Sequence, residues 1–232
     1  MTADELTPAK RRQARAMLDV LAQTVEPLAQ TLGAGCEVVL HDLTNLPTSV
    51  YAIGGDVTGR TVGSPATDLL LEHVHAGAET NLIGYSTELP GGRDGRSSTI
   101  IVRLPDGMPV AALCLNIDVT DLKQAHQLLG ALLGSAAPAD VPSVTPRTKE
   151  AFPRTVTDLT NHLVEESIAG IGVPVELMKK PHKVEVVHNL KRRGVFQVKD
   201  AVEAVAAALD VTRFTIYNYL NELDDQPLEG SA

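Results

Sequence analysis

Residues 198–220 read VKDAVEAVAAALDVTRFTIYNYL, and this stretch decides the C-terminal part of the fold. A helix-turn-helix packs two short helices across a tight turn, so its apolar positions are closely constrained. Ala206 is small where the two helices approach most closely, Leu209 and Val211 bracket the turn, and Ile216 and Leu220 turn the second helix's inner face onto the first. Asp210 holds the turn position; aspartate enters the left-handed region more easily than most residues, at a cost on the order of 1 kcal/mol. Thr212 is suited to cap the second helix through its hydroxyl. Arg213, Phe214, Tyr217 and Asn218 then fall on the outer face. Arginine pairs bidentately with guanine and asparagine with adenine, each worth about 1–3 kcal/mol of base discrimination. Thr212 and Thr215, beside the helix N-terminus, suit phosphate contacts. A helical bundle whose Arg213 and Asn218 are merely solvated is the plainer alternative.

Charge is distributed in keeping with a nucleic-acid face. The 232-residue chain carries a net charge of −9. Between Met178 and Lys199, however, seven lysines and arginines face Glu185 alone, a local charge of +6. Lys191, Arg192, Arg193 and Lys199 lie just ahead of the helix pair, as DNA contacts or as a solvated helix end. An acidic body with one basic face is compatible with DNA, because phosphate fields act within roughly 10 Å.

Working back toward the N-terminus, residues 134–151 hold Pro138, Pro142 and Pro146 among Ala and Ser without periodicity, and read as a linker. An all-helical domain is expected over 152–223 and a sensor domain over 10–133. The sensor opens with apolar residues at Ala14, Leu18, Leu21, Val25, Leu28 and Leu32, a heptad-type stripe that serves its own domain or a dimer interface. Pro27 inside it predicts a bend or restart. Strands are expected at Glu37–His41, Ser49–Ile53, Thr99–Leu104 and Val110–Ile117, the last two as a hairpin across Asp106-Gly107. Helices are expected over Ala66–His75 and Asp121–Leu133. The fold class is therefore α+β: an antiparallel sheet with helices, followed by an all-α helix-turn-helix domain.

Several stretches in order carry a family resemblance: Glu37-Val38-Val39-Leu40-His41-Asp42-Leu43, Val57-Thr58-Gly59-Arg60, Thr67-Asp68-Leu69 and Leu113-Cys114-Leu115-Asn116-Ile117-Asp118 in the sensor, and Gly194–Val202 with Val211–Leu220 in the helix-turn-helix. Together they resemble the bacterial YheO/DauR-like regulators, with a YheO-type PAS domain before a DauR-like helix-turn-helix. The resemblance runs from about Met17 to Leu223. It implies a PAS sensor coupled to DNA binding. A homodimer that places two recognition helices in successive major grooves of double-stranded DNA, on an inverted-repeat operator, is expected from the helix-turn-helix, with a small polar effector such as an amino acid or related compound in the sensor.

A PAS-type pocket lies between sheet and covering helices, so inward polar residues would select the ligand. The candidates are Glu37, His41, Asp42, Arg60, Tyr85, Ser98 and Asn116. His41 and Asp42 contact a ligand or bond the following turn. Arg60 grips a carboxylate or forms a structural ion pair. Asn116 and Asp118 serve the ligand or end a strand and cap a helix.

No cofactor or metal is expected. Cys36 and Cys114 sit in apolar runs as small core residues of a reducing compartment. His73 and His75 are two apart, on different helix faces, with no third ligand near in sequence. No apolar run is long enough to span a bilayer and the first residues do not resemble a secretory signal, so a cytoplasmic protein is expected. An enzyme using His41 and Asp42 as an acid–base pair lacks a nucleophile or metal cluster at a diagnostic spacing, so no catalytic role is expected. A protein-interaction adaptor whose helix-turn-helix leaves DNA alone is the remaining alternative.

Overall fold

The computed structural model describes residues 6–133, 150–198 and 201–225. Lys199 and most of the expected linker, 134–149, lie outside them. The chain divides into two compact units, with the boundary between Arg154 and Thr155.

The first unit opens with α1 (Pro8–Leu32), capped by the Thr7 hydroxyl with proline at its first position. It buries Ala14, Leu18, Val25 and Ala29. Helix α1 runs unbroken through Pro27, contrary to the expected restart. Val25 and Ala29, on either side of that proline, are both packed against Val38, Leu40 and Ala111, and this burial holds the helix across the missing N–H. The buried stripe moves to Ala29 and leaves Leu28 and Leu32 at 37% and 43% exposure. A 3.6-residue turn drifts from a strict heptad over this length, so the end of the heptad reading faces outward.

Next come β1 (Cys36–Asp42), β2 (Val50–Gly54), α2 (Asp68–His75), β3 (Leu82–Leu89), β4 (Arg93–Arg103), β5 (Pro109–Asp118) and α3 (Thr120–Leu132). The strands form one antiparallel sheet in the order β2-β1-β5-β4-β3. Strand β3 was not expected from the sequence. Its register shifts between Leu82 and Tyr85, which breaks the period-two pattern and leaves Ile83 64% exposed. After the shift Tyr85, Thr87 and Leu89 alternate inward. Gly95 of β4 lies opposite Thr87, and a Cβ there would come within 2.7 Å of the Thr87 and Leu89 side chains. Close packing on this face thus requires a glycine at that position.

The pleat assigns the sheet two different faces. Val38 and Leu40 of β1, with Leu113 and Leu115 of β5, meet α1 and form the apolar core. The opposite pleat carries Glu37 and His41, the β5 residues Cys114 and Asn116, and the β4 residues Ser97 and Thr99 in cross-strand register. All six are buried, so this face is an enclosed polar interior.

The second unit contains α4 (Val156–Ile171), α5 (Lys180–Arg192), α6 (Ala201–Ala208) and α7 (Arg213–Asp225). Thr155 and Asp158 close a reciprocal capping box on α4, and Gly172, left-handed, ends it. Helix α4 packs on α5 and α6, while α7 packs on α5 and α6. Leu159, Leu163, Val186, Leu190, Val205 and Leu209 fill the centre. Among the described residues no helix is long and apolar enough to cross a membrane.

Candidate functional site

In the second unit, α6 and α7 make the helix pair anticipated from residues 198–220. Asp210 adopts φ +49°, in the left-handed region, and Val211 N donates to Ala206 O at 3.0 Å. Thr212 Oγ1 accepts from Thr215 N at 3.3 Å and lies 3.0 Å from Thr215 Oγ1. Ile216 and Tyr219 are buried, while Leu220 is half-buried; Tyr219, not Leu220, is the second inward anchor. Thr212, Arg213, Phe214, Tyr217 and Asn218 are exposed and Thr215 is half-buried. Phe214 and Tyr217 show 67% and 50% of their surfaces, a large aromatic exposure for one helix face. The Arg213 guanidinium lies 5.4 Å from the Phe214 ring centre.

The basic run ahead of this pair is divided in its roles. Arg193 Nη1 bonds Glu166 Oε2 at 2.6 Å, and so ties α5 back to α4. Lys183 Nζ donates to Leu209 O at 2.6 Å at the C-terminus of the first helix of the pair, where a cation favours the helix dipole. Lys180 meets Glu222 at 2.6 Å. Arg192 is exposed and Lys191 half-buried.

In the first unit, Glu37 is the centre of the polar interior. Its carboxylate accepts from Val57 N (3.1 Å), Thr58 N (2.9 Å), Thr58 Oγ1 (2.8 Å) and Asn116 Nδ2 (3.1 Å). Asn116 Oδ1 in turn accepts from Ser97 Oγ at 2.9 Å. Arg60 Nη2 lies 3.5 Å from Glu37 Oε1, with both side chains at or below 1% exposure. Arg60 Nε donates to Thr58 Oγ1 at 3.0 Å, so Thr58 relays between the two charges. Arg60 Nη1 is buried and finds no hydrogen-bond partner among the described residues. The Phe152 ring covers the guanidinium at 5.2 Å.

His41 Nδ1 pairs with Ser49 Oγ at 2.8 Å. Burial, aided by the Arg60 charge, holds its imidazole well below the ordinary histidine range and therefore neutral. Tyr85 OH lies 3.3 Å from Thr99 Oγ1 and donates to Glu150 Oε2 at 3.2 Å. Burial raises both the Tyr85 phenol and the Cys114 thiol, the latter to about 12, so neither ionises near neutrality. Burial also raises the Glu150 carboxyl to about 7, against the opposing pull of a Thr67 hydrogen bond and the Arg60 charge.

Of the seven sequence candidates, Glu37, His41, Arg60, Tyr85 and Asn116 converge on this interior. Asp42 instead accepts from Thr44 N (2.8 Å) and Thr44 Oγ1 (2.6 Å), capping the turn Leu43–Asn45. Adjacent strand residues point to opposite faces, which separates its carboxylate from the His41 ring. Ser98 is on the outward pleat, where its hydroxyl accepts from Gly84 N at 2.9 Å. Sequence reasoning passed over Thr58, Ser97 and Thr99, although the inward alternation of β4 signals the last two. It also passed over Glu150 and Phe152, which no local pattern marks.

An antiparallel sheet with a polar interior, followed by a capped helix-turn-helix, defines a two-part class: a PAS-type domain in front of a DNA-binding-type helical unit. Residues 11–134 match the YheO-like PAS domain and residues 159–221 a helix-turn-helix domain. The chain belongs to the family of YheO-like PAS-domain proteins with a C-terminal helix-turn-helix. It is 30% identical to the uncharacterized protein YheO of Escherichia coli K12, over 89% of this chain and 84% of that one. It is 28% identical to an uncharacterized protein of Haemophilus influenzae, over 91% of this chain and 93% of that one. Identity to the transcriptional regulator DauR of Pseudomonas aeruginosa is also 28%, over 91% and 93% of the two chains.

Proposed function

We propose that this protein is a cytoplasmic, homodimeric transcriptional regulator that binds an inverted-repeat operator and answers to a small polar metabolite held in the PAS-type interior. The observation that carries the reading is the outer face of α7. Arg213, Phe214, Tyr217 and Asn218 stand exposed on a helix whose other face is fixed by Ile216 and Tyr219. A rigid helix offering arginine, asparagine and two aromatics suits major-groove readout, with Thr212 and Thr215 at its start for phosphates. The similarity to a relative named as a transcriptional regulator supports the same role.

Dimerisation is supported by α3, which buries none of its residues and exposes Leu122, Leu128, Leu129 and Leu132 by 60–83%. Apolar exposure of that extent on one amphipathic helix suits a self-complementary interface. Regulation by a metabolite is supported by the buried charged interior around Glu37 and Arg60. No sheet-core requirement calls for two charges there.

The test is selection of genomic fragments by the purified protein, beside Arg213→Ala. Wild type is expected to enrich one inverted repeat, with affinity that falls steeply with salt as counterions are released. Arg213→Ala is expected to lose about 1–3 kcal/mol, roughly 5- to 150-fold, and to relax specificity at one base. Failure of the folded dimer to enrich any repeat at low salt, with or without candidate metabolites, would overturn the proposal.

A further inference from the structure

Glu150, Ala151 and Phe152 precede the helix-turn-helix match and follow the PAS match, so they belong to neither domain pattern. Yet they close the polar interior of the first unit. Glu150 Oε2 accepts from Tyr85 OH at 3.2 Å and from Thr87 Oγ1 at 3.5 Å. Ala151 N donates to Asp68 Oδ1 at 2.9 Å. Phe152 covers the Arg60 guanidinium, and the Arg154 side chain lies against Gly59 so closely that a Cβ there would meet its guanidinium at 2.3 Å.

We propose that this segment is an internal stand-in for the effector, and that the effector is a carboxylate carrying a nitrogen donor about four carbons away, which displaces it. The proposal rests on the reading of this domain as the effector's site and names the ligand class and the switch. Its geometry is that of the segment itself. From the Glu150 carboxylate carbon, a run of four carbons (Cγ, Cβ, Cα and the carbonyl carbon) leads to Ala151 N. A ligand of that form offers an acceptor to Tyr85 and Thr87 and a donor to the Asp68 carboxylate.

Two observations separate an occupant from an ordinary piece of core. Arg60 Nη1 is buried and unpartnered among the described residues, which leave a donor that an incoming anion can engage. Burial also holds the docked Glu150 carboxyl protonated, so its hold weakens as pH rises from the ordinary carboxyl range toward about 7. The groups facing it are Arg60, Asp68, Tyr85 and Cys114, with Thr67 donating a hydrogen bond. Helix α4 begins at Val156, directly after this segment, so displacement reaches the first helix of the second unit through the chain itself.

The experiment uses the full chain without DNA, so its outcome is independent of operator binding. Titration calorimetry with δ-aminovalerate is run on wild type, Glu150→Gln and Glu150→Ala, with hydrogen exchange at the Ala151 amide. An internal competitor lowers apparent affinity by the fraction of sites it fills. Glu150→Ala is therefore expected to bind the probe at least about tenfold tighter than wild type, whereas Glu150→Gln, which keeps a neutral acceptor in the same place, is expected to bind it no tighter than wild type. The probe is expected to deprotect Ala151 in wild type while β1 and β5 amides stay protected, which shows that the domain is folded. Equal or weaker binding by Glu150→Ala overturns the displacement. No binding at millimolar probe to a folded Glu150→Ala variant overturns the ligand class.

Discussion

Truncating Glu37 to alanine tests whether the polar interior of the sheet is one coupled network. Glu37 is fully buried and supplies acceptors to Val57 N, Thr58 N, Thr58 Oγ1 and Asn116 Nδ2, with Arg60 Nη2 at 3.5 Å. Without it, the Arg60 guanidinium keeps only the Thr58 hydroxyl as an acceptor among the bonds described above, and its charge stays in the interior. Breaking one side of a buried pair costs about 3–5 kcal/mol, because the partner is left uncompensated. Exchange of slow β1 and β5 amides in the full chain reads this directly, since central strands open only with the unit as a whole. Opening is expected to become roughly 150- to 5,000-fold more frequent in Glu37→Ala. The double variant Glu37→Leu with Arg60→Met removes both charges and should be less damaging than either charge removal alone. A Glu37→Ala effect below about 1 kcal/mol, or strict additivity in the double variant, would refute the coupled network.

Three further outcomes follow from other parts of the molecule. Asp210→Gly is expected to stabilise the helical unit by up to about 1 kcal/mol, because glycine takes φ +49° without the Cβ penalty; Asp210→Val should destabilise it, and denaturant midpoints distinguish the two. His41 has its folded pKa below its unfolded value, so its contribution is complete above pH ~6.5 and is lost as pH falls. Stability measured from neutral pH downward should decline with a slope of up to about 1.4 kcal/mol per pH unit from this group, and His41→Gln should flatten it. Replacing Leu129 and Leu132 of α3 by glutamate is expected to shift sedimentation from dimer to monomer, whereas an unchanged dimer would place the interface elsewhere.

Much of the architecture follows from local rules. The short apolar runs of β1 and β5, turn residues between strands, and the Leu209-Asp210-Val211 turn each act over a few neighbours, so residue order alone specifies them. The outer face of α7 belongs with these, because helical spacing fixes which side chains oppose Ile216.

Strand β3 and the path of α1 through Pro27 depend instead on partners distant in sequence. Strand β3 is held by its pairing with β4 across a register shift, and α1 is held by burial against β1 and β5. The roles of charged residues were the least legible part. Glu37 and Arg60, Arg193 and Glu166, and Glu150 with Tyr85 are each brought together by the fold, over separations of 23, 27 and 65 residues. A side chain's partner, and with it its ionisation and availability, is set by burial and distance in three dimensions. Sequence spacing encodes neither once the chain turns back on itself.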